Sequence, residues 1–221
     1  MDPHAQLHRL DQLPQEVPVF PLPGVLLLPR GHLPLHVFET RYMNMVEDSF
    51  KSDRMIGIVQ PSDLSVSLAA SDVPLYETGC AGRITSFEEI PDNRFLITLT
   101  GTCRFNILGE LPLTRGYRRV RPDFSPFEGD LTPAESLGLD REKLKAMLAD
   151  YFQIEGLSCD WEMIDGTEDE KLITCLSMIC PFEAGEKQAL LEAASGKTRA
   201  GLFMAMLEMA VRGGAGSTSS H

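Results

Sequence analysis

Residues 16–125 contain short apolar runs that Pro and Gly divide, a pattern typical of β-strands. In the run RFLITLTG, Phe95, Ile97 and Leu99 occupy every second position, which is the period of a strand that buries one face more deeply than the other. Strands are predicted at VPVF, LPLHVF, MIGIVQ, GCAGRITSFEEI, RFLITLTGTCRFNI and YRRVRPDF, with a hairpin turn at Pro91, Asp92 and Asn93.

A helix is predicted to interrupt these strands from Phe38 onward. The apolar residues there recur near helical spacing and indicate one buried stripe, made of Phe38, Tyr42, Met45, Val46 and Phe50. The first half of the chain is therefore predicted to be a β-rich lobe with one inserted helix.

From residue 126 onward the apolar period changes to about 3.6 residues, the period of an amphipathic helix. At least four helices are predicted, at DREKLKAMLADYF, TEDEKLITCLSMIC, GEKQALLEAAS and TRAGLFMAMLEMAVR, and Thr167 and Glu170 have capping-box spacing. Strands followed by helices, without βαβ alternation, predict an α+β fold. Its parts are a flexible N-terminus (1–15), a β-rich lobe (16–125), a helical bundle (126–212) and a disordered tail (213–221).

The net charge of −12 argues against a general nucleic-acid binder, because phosphate backbones are met by Lys and Arg. The segment TRGYRRVRPDF is a local exception, with four arginines. It is interpreted as a solvated edge strand whose charges prevent aggregation, with a contact to phosphate or to an acidic partner as the alternative.

Five cysteines form no CxxC pair, and the N-terminus lacks the apolar region of a secretory signal. This combination favours reduced thiols and a cytoplasmic location. The apolar run AGLFMAMLEMAV is too short to span a bilayer and contains Glu208, so no membrane contact is predicted.

His32 and His36 are four residues apart, the spacing of two zinc ligands on a helix. Pro34 lies between them among Leu and Val residues, which favours an extended strand. Four residues of strand span about 13 Å, too far for two ligands of one metal ion. Both histidines are therefore interpreted as partly exposed strand residues, and no metal site is predicted.

The segment SGKT at residues 195–198 resembles the end of a P-loop, but Leu191 stands where the first Gly of that motif belongs and the preceding run is helical. It is better explained by a helix end at Gly196, with Thr198 near the start of the last helix. The sequence contains no G-x-S-x-G elbow and no S-x-x-K pair. No catalytic residue and no cofactor are predicted.

Three segments carry a family resemblance when they are taken together and in order: VPVFPLPGVLLLPRGHLPLHVFETRYMNMV, GCAGRITSFEEIPDNRFLITLTGTCRFNI and EKQALLEAASGKTRAGLFMAMLE. They resemble the Lon substrate-binding domain family, which occurs at the N-terminus of the ATP-dependent protease Lon, in cereblon, and as a separate small bacterial protein. The resemblance covers about residues 16–212. It implies a PUA-like β-barrel or sandwich followed by a helical bundle.

The resemblance further implies a bacterial, stand-alone member that lacks the ATPase and Ser–Lys peptidase domains. The expected function is non-catalytic binding of polypeptide segments or of a protein partner, linked to proteolysis or protein quality control. A peptidase-related hydrolase and an RNA-binding PUA-like module are the alternatives, and the oligomeric state stays open.

The predicted contact residues lie on and beside the first helix and in the loop before it: Leu26, Leu28, Glu39, Thr40, Arg41 and Met43. An extended peptide is expected to add to a free strand edge or to seat apolar side chains in a groove between the lobes. For Glu39 and Arg41 the structural alternative is an acid at the helix start and a local ion pair.

Overall fold

The computed structural model describes residues 9–63, 65, 73–92, 94–132 and 136–217. All six predicted strands are confirmed. They are β1 (Val17–Pro21), β2 (His32–Val37), β3 (Met55–Val59), β4 (Thr78–Ile90), β5 (Arg94–Thr114) and β6 (Tyr117–Asp123). In the predicted hairpin turn, Asp92 has a positive φ of 66°, whereas Asn93 lies outside the described residues.

Five of the strands form a closed ring in the order β5-β4-β3-β1-β6, because β6 pairs with both β1 and β5. β2 lies outside this ring, at the end of the sheet, and pairs with residues 95–100 of β5. The ring is followed along the chain by helices. The predicted α+β class, with a β-barrel lobe and then a helical lobe, is confirmed.

The arginine-rich segment is not an edge strand, so that part of the prediction is wrong. β6 has a partner strand on each side and closes the barrel. Its charges are accommodated by nearby carboxylates: Arg115 pairs with Glu47 and Asp48, Arg118 with Glu110, and Arg119 with Glu16.

The helices are α1 (Thr40–Phe50), α2 (Arg141–Glu155), α3 (Trp161–Gly166), α4 (Asp169–Ile179), α5 (Ala184–Glu192) and α6 (Gly196–Ser217), with 3-10 helices at Leu10–Gln12 and Ser125–Leu131. The short helix α3 has no counterpart in the sequence prediction. The predicted flexible and disordered ends differ in part, since Leu13 is buried and α6 continues to Ser217. Residues 1–8 and 218–221 of those ends lie outside the described residues. No helix in the described part is long and apolar enough to cross a membrane.

The capping box predicted at Thr167 and Glu170 is wrong, because Thr167 belongs to the end of α3 and its hydroxyl donates to the Met163 carbonyl. A capping box forms instead at α5, where the side chains of Glu183 and Glu186 each accept from the other's backbone N–H. Ser195 precedes α6 and its Oγ accepts from the N–H of Thr198 at 3.1 Å. SGKT is thus a helix start, and Gly196 begins α6 rather than ending α5.

Two apolar clusters make up the core. The smaller cluster fills the barrel with residues such as Val17, Phe105 and Val120. The larger cluster packs the outer face of the barrel against α1 and also includes buried residues of the helical lobe, such as Leu148 and Phe203. The larger cluster therefore extends through both lobes, whereas the smaller one is confined to the barrel and the residues that flank it.

Buried polar groups also cross between the lobes. The side-chain amide of Gln60 donates to the Ala184 carbonyl at 3.0 Å and to Gln188 Oε1 at 3.1 Å. Lys187 donates to the Gly24 carbonyl at 2.9 Å, and burial lowers its pKa. These contacts occupy the junction where the sequence suggested a groove for apolar side chains.

Candidate functional site

The first helix begins where β2 leaves the sheet. Val37 is the last residue of β2, and Glu39 has an extended backbone before the first helical residue, Thr40. The Glu39 carbonyl accepts from the N–H groups of Tyr42 and Met43, both at 2.9 Å, which fixes the first turn. Glu39 and Thr40 are exposed, whereas the next turn carries the buried stripe.

Glu39 and Arg41 form a local ion pair across the start of α1. Arg41 Nε and Nη2 lie 3.0 and 2.9 Å from Glu39 Oε2. The Arg41 guanidinium carbon is 4.6 Å from the centre of the Tyr42 ring, and that ring stacks on Phe20 at 4.0 Å. Burial raises the pKa of Tyr42. The Glu39–Arg41 ion pair that was expected as the structural alternative is present. The Arg41 guanidinium lies over the ring of Tyr42, which in turn stacks on Phe20.

Leu26 and Leu28 are not exposed contacts, so this part of the prediction is wrong. Their relative exposures are 2% and 0%, and both belong to the larger core cluster. A Cβ atom at Gly101 would lie 2.0 Å from the Leu28 carbonyl oxygen, and one at Gly82 would lie 2.7 Å from Leu27. The two glycines thus leave the space in which the loop packs onto the sheet.

Met43 is half-buried and packs against the larger core cluster, so only part of its side chain is available. Of the six predicted contact residues, Glu39 and Thr40 are exposed, and Arg41 is partly exposed. Nothing in the structure tests whether they bind a partner, and their role stays a prediction.

Phe38 was predicted to belong to the buried stripe of the first helix, but it is exposed. It precedes α1 by two residues, and 62% of its surface is exposed. Its ring lies 5.7 Å from the ring of His36, and His36 is opposite Leu96 in the register of β2 and β5. Leu96 is itself 41% exposed. These three residues form an apolar row that leads directly to Glu39.

The alternation of β2 explains this row. His32, Pro34 and His36 are exposed, whereas Leu33, Leu35 and Val37 are partly or fully buried. Phe38 continues the exposed set, as the strand period requires. We call the surface formed by His36, Phe38, Glu39, Thr40, Arg41 and Leu96 the β2–α1 surface.

Both histidines are exposed on β2. His32 Nδ1 is 3.0 Å from the hydroxyl of Thr100, which is its register partner on β5. Within the described ranges, no group of three or more His, Cys, Asp or Glu side chains could hold a metal ion. The interpretation of His32 and His36 as exposed strand residues is confirmed.

The free edge of β2 is poorly suited to strand addition. Pro34 lies in the middle of the strand and has no N–H group to donate to an added strand. Proline is tolerated on edge strands, and its presence there hinders edge-to-edge pairing. A partner at this place is therefore expected to contact side chains rather than the strand edge.

The chain is similar to known proteins in sequence and in fold. A sequence model of the family described as the ATP-dependent protease La (LON) substrate-binding domain matches residues 16–208. Lon protease 2 of Myxococcus xanthus is 26% identical over 211 residues, which cover 94% of this chain and 25% of that protein. Lon protease of Anaeromyxobacter dehalogenans is 24% identical over the same length, with 94% and 24% covered. The chain thus spans about a quarter of these relatives.

Two solved structures share the fold. A Lon N-terminal domain protein from Xanthomonas campestris superposes with a TM-score of 0.58 at 20% identity, covering 86% of this chain and 97% of the other. The N-terminal domain of Mycobacterium avium complex Lon protease has a TM-score of 0.57 at 16% identity, covering 87% and 98%.

Proposed function

The chain belongs to the family of the ATP-dependent protease La (LON) substrate-binding domain, and from this membership we propose that it binds polypeptide segments and performs no chemistry on them. Its proposed setting is proteolysis or protein quality control. The observation that carries the proposal is the exposed apolar row Leu96–His36–Phe38, which stands beside the Glu39–Arg41 pair.

The β2–α1 surface combines features that suit polypeptide recognition. Phe38 offers a large apolar area on a backbone that the sheet holds on one side and α1 on the other. Exposed aromatic residues on rigid elements bind apolar side chains with little loss of conformational entropy. The proposed polar and peripheral contacts are Glu39, Thr40, Arg41 and Met43.

Burial limits the reactivity of three of the five cysteines. Burial raises the pKa of Cys103 and of Cys180 to about 12, and it raises the pKa of Cys80 as well. The thiolate is the reactive form of cysteine, so these three thiols are poor nucleophiles at neutral pH.

Binding of fluorescently labelled casein, followed by fluorescence anisotropy, tests the proposal. Phe38→Ser is expected to weaken binding at least about tenfold, because burying a Phe side chain contributes roughly 1.5–3 kcal/mol. Leu108→Ser is the matched control, since Leu108 is equally exposed but lies beyond the part of β5 that pairs with β2. Equal loss in both variants, or no loss in either, would contradict the assigned surface.

The same casein distinguishes binding from proteolysis. The purified chain is incubated with unlabelled casein, with and without ATP, and the products are separated on a gel. Intact casein in both samples is expected. Cleavage in either sample would show that the protein is an enzyme and would refute the proposal.

A further inference from the structure

The connection between α2 and α3 is an ordered elbow with an apolar surface. Gly156 has a positive φ of 66°, and the N–H of Leu157 donates back to the Phe152 carbonyl at 2.8 Å. This hydrogen bond is the one that closes a Schellman motif at the C-terminus of a helix. In that motif the residue that corresponds to Leu157 frequently packs against the one that corresponds to Phe152. The elbow is therefore fixed on the α2 side.

The α3 side of the elbow is fixed by a helix cap. The carboxylate of Asp160 accepts from the N–H groups of Glu162 and Met163 at 3.0 and 3.2 Å. The Trp161 ring centre lies 6.5 Å from that of Phe152. The Trp161 ring thus lies beside the buried ring of Phe152.

Large apolar side chains are exposed on this elbow although its backbone is ordered. Phe152 is buried, whereas 38% of Trp161 is exposed and Ile154 and Leu157 are exposed to a similar extent. We call the surface formed by Ile154, Leu157 and Trp161 the elbow surface. It lies on the helical lobe and shares no residue with the β2–α1 surface.

The chain segment that forms the elbow, between Lys145 and Lys171, carries charge of one sign. Residues 146–170 include eight Asp and Glu residues and no Lys or Arg. Three of these carboxylates have ion-pair partners within the described chain: Asp165 with Lys145, Asp169 with Arg141, and Glu170 with Arg30. The other five, which include Glu155 and Glu162 beside the exposed apolar residues, have no ion pair among the described residues.

We propose that the elbow surface is a second polypeptide-binding surface, and that it selects segments in which bulky apolar side chains alternate with Lys or Arg. The apolar side chains bury Leu157 and Ile154, and the cationic groups meet Glu155 and Glu162. A guanidinium or ammonium group also gains from the exposed face of Trp161. This inference rests on the proposed function and adds a substrate class to it.

Charge complementarity favours this occupant over two others. A second copy of the chain would bring the same carboxylates to a two-fold contact, where they repel. Anionic membrane surfaces would be repelled for the same reason. A cationic apolar segment satisfies both the charge and the exposed apolar area.

Trp161 makes the proposal measurable, because it is the single Trp of the chain. A Trp-free peptide of repeated Arg-Leu-Gly units is titrated into the full chain, and Trp161 fluorescence is recorded. A peptide of repeated Asp-Leu-Gly units is the matched control. A saturable change is expected with the Arg peptide, and no change with the Asp peptide.

The protein variant for this test is the double substitution Glu155→Gln and Glu162→Gln, which leaves the capping residue Asp160 in place. One exposed ion pair changes affinity by roughly a factor of two, so the double variant, which removes two pairs, is expected to bind the Arg peptide about fourfold more weakly. Urea unfolding of the double variant, expected to match that of the native chain, confirms that the fold is unchanged.

Three outcomes would overturn the proposal: no fluorescence change with the Arg peptide, an equal change with the Asp peptide, or unchanged affinity in the double variant. The variant Phe38→Ser separates this proposal from the previous one. It is expected to leave the Trp161 response intact while weakening casein binding. If casein binding depends on Phe38 but Trp161 never responds, the elbow surface is wrong and the proposed function stands.

Discussion

Replacing Asp130 by Ala should greatly destabilise the protein, because Asp130 neutralises an arginine buried between the lobes. Arg104 Nε and Nη2 each lie 2.9 Å from the carboxylate of Asp130, and the two side chains are only 4% and 10% exposed. Arg104 Nη1 also donates to the carbonyls of Leu191 and Ala193, at 2.8 and 2.6 Å. One guanidinium therefore joins β5 to the C-terminal end of α5.

The expected loss in the free energy of unfolding is about 3–5 kcal/mol, because the substitution leaves a buried charge without its counterion. Domains of this kind are stable by about 5–15 kcal/mol, so the loss is a large fraction of the total. The double variant Arg104→Met and Asp130→Leu contains no buried charge and should be more stable than Asp130→Ala. It should stay below the native chain, since the carbonyls of Leu191 and Ala193 lose their donor, at about 1–3 kcal/mol for each unpaired group.

Urea unfolding of the full chain measures these differences. Far-UV circular dichroism reports both lobes, and Trp161 fluorescence reports the helical lobe. Coincident transitions in the native chain would show that the lobes unfold together. Glu208→Ala is the control, because it removes an exposed pair with Arg212 that is worth about 0.5 kcal/mol. The reasoning is refuted if Asp130→Ala costs less than about 1 kcal/mol, or no more than the control.

Two further predictions concern β5. Gly101→Ala should lower the free energy of unfolding by about 3 kcal/mol, because the added Cβ would lie 2.0 Å from the Leu28 carbonyl oxygen. Gly109→Ala should be close to neutral, because the nearest atom to its added Cβ is 3.9 Å away. Urea unfolding of both variants measures the difference. Burial raises the pKa of Cys103 from 9.0 to about 12, so the thiol of the unfolded chain loses its proton at a lower pH than the thiol of the native chain. The stability of the native chain relative to Cys103→Ala should therefore fall between pH 9 and pH 12, by at most about 1.4 kcal/mol per pH unit. A constant difference in stability across that range would contradict the assignment.

The strands were predictable because their signal is local. Short apolar runs bounded by Pro and Gly depend only on neighbouring residues, and they placed all six strands, with period-two alternation as added support in β5. The same period would have found Phe38, since this residue continues the exposed set of His32, Pro34 and His36. Phe38 was assigned to the buried stripe of the helix instead, because its spacing of four residues from Tyr42 fits both the strand period and the helix period. The assignment of Phe38 failed because this residue lies where the strand period of β2 ends and the helical period of α1 begins.

The burial of Leu26 and Leu28 was not predictable from their own segment. An apolar loop between prolines reads equally well as an exposed contact and as a buried connection. The deciding residues are Gly82 and Gly101, which lie on β4 and β5, more than fifty positions away, and which leave the sheet surface open to the loop. Only the paired sheet brings those glycines under the leucines.

Arg104 is a buried charge that crosses the junction between the lobes. On β5 it alternates with Cys103 and Phe105, which point into the barrel, so strand period places Arg104 on the outer face. An outward Arg normally indicates solvent, yet here α5 covers that face and supplies carbonyls for the guanidinium. The outer face of the barrel is therefore buried at this junction. Two exposed aromatic side chains lie where regular elements meet, Phe38 between β2 and α1 and Trp161 at the start of α3. An aromatic side chain held by ordered backbone on both sides suits contact with a polypeptide, so these two places are the candidates that the two binding proposals use.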